Sequence, residues 1–169
     1  PHDVRAPGYL AEEVAGDGRV LPVSPAPQRT YRGAVPGHPG SEARFSVSDE
    51  LVEGVIITAG EWYFVEPRRN FEADADPSEF IVYRMSDILP DAVGTCGTTL
   101  VERIGEARGN LDPLVMAESG SAYVAEVATE ADYEYVSAMG GPESDNGEIL
   151  EILNHVDGIY QSYLSLSLR

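Results

Sequence analysis

Between Thr30 and Met85 the chain reads in period two, a pattern that an antiparallel sheet absorbs and a helix does not. Tyr31–Val35 and Ala43–Val47 read as short strands, separated by Pro36-Gly37-His38-Pro39-Gly40, a run of turn residues. Leu51–Thr58 and Glu61–Val65 are joined by Ala59-Gly60, so Leu51–Val65 predicts a hairpin. In its second arm Trp62 and Phe64 face one side, and Tyr63 and Val65 the other. Pro67-Arg68-Arg69 stops that strand, the acidic loop Glu72–Glu79 follows, and Phe80–Met85 returns as another strand. The expectation is a four- or five-stranded antiparallel meander, the body of an α+β chain.

Composition shifts mark four segments. Residues 1–28 hold five of the twelve prolines and predict an extended arm with few internal hydrogen bonds, either a tail or a strand-like arm laid against the body. Residues 29–109 carry the β-rich module. They end in the small-residue loop Gly94-Thr95-Cys96-Gly97 and a short helix from Thr98 or Thr99 to Ala107. Residues 110–121, with Pro113 and Gly120, read as a linker and the place for a proteolytic nick. Residues 122–169 form the last unit. Tyr123–Val136 has strand character, and Gly140-Gly141-Pro142 breaks it. Asp145 with Glu148 resembles a capping box. Ile149, Ile152, Leu153, Val156, Ile159, Tyr160 and Tyr163 then recur at helical spacing as one apolar stripe. Glu148, Glu151, Asn154, Asp157 and Gln161 fill the other face. Leu164, Leu166 and Leu168 alternate with serines, so strand, helix and strand predict a parallel pair. The apolar helix face is expected to pack on the β module or to self-associate. Both chain ends read as cuts in a longer precursor.

Twenty-nine acids oppose eleven arginines, there is no lysine, and the formal net charge is −18. Such a surface repels nucleic acid and anionic membranes. It suits a secreted protein in salty surroundings, or simply a solvated acidic surface. No run reaches the roughly 18 apolar residues of a membrane helix. The one cysteine excludes an internal disulfide and is either a small buried hydrophobe or a metal ligand.

Taken in order, Glu61-Trp62-Tyr63-Phe64-Val65-Glu66-Pro67, Ile81-Val82-Tyr83-Arg84 and Gly94-Thr95-Cys96-Gly97 resemble the end of the prodomain in reprolysin-like (adamalysin, ADAM-type) zinc metalloproteases. Val124-Ala125-Glu126-Val127-Ala128 through Asp132-Tyr133-Glu134-Tyr135 resembles the first strand of their catalytic domain. Ile149–Tyr163 resembles its first long helix, and Leu164–Leu168 its second strand. The resemblance implies a secreted zymogen whose prodomain silences a zinc peptidase through a cysteine switch. Zinc held by three histidines keeps a fourth position for water, and Cys96 sulfur would fill it. Gly94, Thr95 and Gly97 would form the switch loop. The implied partners are the chain's own catalytic domain and protein substrates, and the implied cofactor is zinc. Calcium is implied as a structural ion at Glu126, beside the alternative of an ordinary strand carboxylate.

The family's zinc motif, HExxHxxGxxH, is absent, and His2, His38 and His155 have no histidine at metal-binding spacing. The 169 residues are therefore expected to have no peptidase activity by themselves and to contain no catalytic residue. Glu151 and His155 are four apart on the helix and could meet on one face. Asp74, Asp76, Ser78 and Glu79 lack the glycine and terminal glutamate of a calcium loop and read as solvated acids. The competing reading is an acidic extracellular β-rich binding or scaffold module carrying a degenerate peptidase-like remnant, with Cys96 packed rather than reactive.

Overall fold

The computed structural model describes residues 1–49, 51–58, 60–89 and 123–169. The proline-rich N-terminus is more organised than an extended arm. Ala11–Val14 (β1) and Val20–Val23 (β2) pair antiparallel, with Pro22 opposite Glu12. Asp17 makes the turn, accepting from Arg19 N–H at 3.1 Å, and Gly18 supplies a left-handed residue at φ +83°. The segments flanking this hairpin are anchored. Val4 and Ala26 are buried together with Leu150, and His2 N–H donates to the Thr30 carbonyl at 2.8 Å.

The period-two region folds as a five-stranded antiparallel meander: β3 (Thr30–Gly33), β4 (Glu42–Val47), β5 (Val52–Thr58), β6 (Glu61–Pro67) and β7 (Phe80–Arg84), adjacent in that order. The 51–65 hairpin lies where its turn chemistry placed it, with Thr58 opposite Glu61. Register sorts the side chains into rows. Arg44, Val55, Phe64 and Tyr83 share one face, and Phe45, Gly54, Val65 and Val82 the other. On the second face the Phe45 ring lies over Gly54, where a β-carbon would come within 2.5 Å of it.

The C-terminal unit departs from the sequence reading at its start. Tyr123–Ala125 (β8) is a strand, but Tyr133–Met139 is a helix (α1) rather than the continuation of that strand. Asp132 caps it by accepting from Tyr135 N–H at 2.8 Å, and Gly140 at φ +90° ends it. Local capping chemistry outweighs the β propensity of its tyrosines and valine. The long helix α2 (Pro142–Leu164) begins three residues before Asp145, with Gly141 as N-cap and Pro142 in the first turn. Gly140-Gly141-Pro142 is thus both the stop of one helix and the start of the next. Asp145 lies inside the first turn, buried, where the positive end of the helix dipole favours a carboxylate. Ser165, at φ +53°, turns the chain into β9 (Leu166–Leu168), which pairs parallel with β8 as expected.

The architecture is α+β: the meander carries α2 across β3, β4 and β5, and the small parallel pair lies beside the helix. The helix turns its more polar side to the sheet. Asn146, Leu150, Asn154, Asp157 and Gly158 are buried, whereas Ile152 is 47% and Tyr163 60% exposed. Of the apolar stripe, Tyr163 at the C-terminal end of the helix reaches the β module, at Trp62, while the middle of the helix meets the sheet with its polar side. The sheet face beneath the helix holds Arg44 at 0% exposure, and a buried charge needs an opposite charge beside it. Part of the stripe is covered instead by the segment leading into α1. Tyr135, Ile149, Ile152 and Leu153 line an open hollow of about 400 Å³ there. Among the described residues no helix is long and apolar enough to cross a membrane.

Candidate functional site

The helix-facing side of β4 projects Arg44 into the junction, and α2 supplies Asp157 directly opposite. Both are fully buried, with Arg44 Nη1 2.8 Å from Asp157 Oδ2. Glu42 completes a chain of charges: its Oε1 lies 2.8 Å from Arg44 Nε and 2.8 Å from Arg32 Nε. The Arg44 contacts are ionic, without aligned N–H···O bonds.

Asp157 gathers three segments, β4, β9 and the N-terminal segment, on one carboxylate. Ser167 Oγ–H donates to Oδ1 at 2.9 Å and Leu168 N–H at 2.7 Å, tying in β9. His2 Nε2 reaches Oδ2 at 3.1 Å, tying in the N-terminal segment. Burial opposes ionisation of Asp157. The bonds from His2 and Leu168 N–H, the charge of Arg44 and the Ser167 hydroxyl outweigh it, and the pKa falls to about 2. Burial pulls the Arg44 pKa down against the attraction of Asp157 and Glu42, yet a guanidinium stays charged at neutral pH.

Three more polar bridges run along α2. Asn146 accepts from Ala26 N–H at 2.9 Å and donates to the Tyr9 hydroxyl. Asn154 donates to the Phe45 carbonyl at 3.2 Å. Trp62 Nε1–H donates to the Tyr163 hydroxyl at 2.8 Å, with the rings 6.0 Å apart. Beside these lies an acidic group made by Glu53, Glu66, Glu148 and Glu151. Burial first, then Glu148 and Glu53, raise the Glu151 pKa to about 7, with Arg29 opposing. Burial, Glu66 and Glu148 raise that of Glu53. The Tyr83 hydroxyl donates to Glu66 Oε1. His155 does not pair with Glu151; its Nε2 is buried without a hydrogen-bond partner among the described residues. Burial lowers its pKa, against the pull of Glu66 and with a push from Arg44.

Of the sequence-derived site residues, only Glu126 falls among the described residues. Gly94, Thr95, Cys96 and Gly97, the helix expected over 98–107 and the linker over 110–121 lie outside the described residues. Glu126 is exposed, just beyond β8. His2 is on Asp157, while His38 sits in the exposed β3–β4 loop. Asp76 is engaged with Ser78, and Glu79 with Arg68. Among the described residues no three His, Cys, Asp or Glu side chains converge to hold a metal. Sequence reasoning missed Arg44 and Asp157. A signal was present in Asp157-Gly158: a glycine inside a helix costs about 1 kcal/mol relative to alanine, so close packing is a natural reason to look for there. No protein-family model matches the chain.

Proposed function

We propose that this chain is the inhibitory β module and the opening elements of the peptidase unit of a secreted zinc endopeptidase zymogen of the reprolysin-like type. The observation that carries the reading is the sequence of elements: an antiparallel meander, then the parallel strands β8 and β9 joined through α2, with α2 held against the meander. That order is what the resemblance implies for a prodomain resting on the first helix of its enzyme. The Asp157 network would hold the inhibitory module in one orientation, and Cys96 would occupy the position that water takes on the catalytic zinc.

The described residues do not supply the metal's ligand set, so the histidines and the metal would belong to the full-length precursor. When bound there, zinc would supply a nucleophilic water near neutral pH. The chain's own contribution is to dock the module and present a thiolate, and its expected catalytic complement is none.

The test is Cys96→Ala in the full-length precursor, assayed on an unfolded protein substrate without processing. Activity is expected in the variant and latency in the parent; equal latency in both overturns the reading. A thiol-reactive probe on the 169-residue chain adds a second check. Prompt labelling in native buffer fits a presented thiol, whereas protection until denaturant is added favours a packed cysteine.

A further inference from the structure

Every hydrogen bond and ion pair described above between residues 1–89 and 123–169 involves a side chain. The five-stranded sheet and the β8–β9 pair share no strand, and no main-chain to main-chain hydrogen bond joins the two blocks among the described residues. The buried apolar cluster at the contact is Val4, Ala26 and Leu150, with Leu153 packed on it. A single folded core is built the other way, with shared ladders and a large apolar interior. A contact whose polar bridges all depend on side chains is the character of surfaces between separate modules.

We propose that residues 1–89 and 123–169 are a docking pair whose association outlasts scission of the chain between them, with the Arg44–Asp157 contact as its specificity-determining centre. The partner fitted by the Arg44 face of the sheet is a helix that presents a carboxylate beside a glycine. Asp157 supplies the charge, and Gly158 leaves room for the Arg44 stem. The ends of the helix are set by Asn146 against Ala26 and by Tyr163 against Trp62. Because the central pair is fully buried, the association should resist moderate salt. This inference concerns the contact alone and holds whether or not the parent is a peptidase.

The experiment inserts a specific protease site between residues 110 and 121 of the whole chain, folds it, cuts it, and follows both pieces by size-exclusion chromatography at neutral pH. Co-elution is expected from the native sequence at both 0.1 M and 0.5 M salt. The Asp157→Asn variant should weaken the association at least about 100-fold, because it leaves a buried guanidinium short of a counter-charge. Separation of the native pieces overturns the proposal, as does an Asp157→Asn pair that holds equally well. If uncut Asp157→Asn lacks the native circular-dichroism spectrum, Arg44→Lys takes its place. It keeps the charge but loses the planar fork, and unchanged affinity would again overturn the proposal.

Discussion

Gly158 lies against the stem of Arg44 so closely that a β-carbon at 158 would come within 2.5 Å of Arg44 Cγ and 3.1 Å of its Nε. Helix and sheet approach there because one side contributes no side chain. In an exposed helix, replacing glycine by alanine would stabilise by about 1 kcal/mol. Here the sign should reverse, and Gly158→Ala is expected to destabilise by about 1–3 kcal/mol through overpacking. Urea unfolding measures it, and a gain in stability would remove the close contact from the account.

The buried pair should show strong coupling. Arg44→Met alone leaves the Asp157 carboxylate in the interior without its cation, and a loss of about 3–5 kcal/mol is expected. Adding Asp157→Leu should recover much of it, since apolar replacement of a whole buried pair is often tolerated. A double-mutant cycle with additive losses would mean that the two side chains do not act together.

Acid should weaken the fold through Asp157. Its folded pKa is about 2, against an ordinary 3.8, so its stabilising contribution is complete above pH about 4. That contribution, about 2 kcal/mol, is lost as pH falls through the folded pKa. Asp157→Asn should start less stable at pH 7 and lack this part of the acid limb. Parallel stability curves for parent and variant from pH 5 to pH 2 would contradict the assignment.

Glu151 works in the opposite direction. Its folded pKa of about 7 lies above the usual 4.5, so the folded state holds the proton more tightly than the unfolded chain. Stability should therefore decline as pH rises from about 4.5 through 7, with Glu148 and Glu53 adding repulsion. Glu151→Gln keeps the shape without the charge and should be more stable than the parent at pH 8. Thermal melts at pH 5 and pH 8 read the difference.

Much of the β module was legible in the sequence because its signals are local. Alternation over Leu51–Val65 and the Ala59-Gly60 connection fixed a hairpin and its register, and the turn residues over 36–40 separated β3 from β4. Two local signals were misread. Asp132 and Gly140 are capping residues, so the aromatic stretch between them is a helix, and Gly18 with Asp17 makes a hairpin within the proline-rich arm. The Asp157 site was legible only in fragments, since its partners lie on the N-terminal segment, β4 and β9.

The sequence by itself determined which segments alternate, which coil and where they turn, because those depend on neighbours a few residues apart. It also sorted α2 into an apolar stripe and a polar side. Only the tertiary structure decided that the polar side meets the sheet. That choice depends on Arg44 arriving opposite Asp157 from a distant part of the chain, and a buried charge accepts just those neighbours that neutralise it.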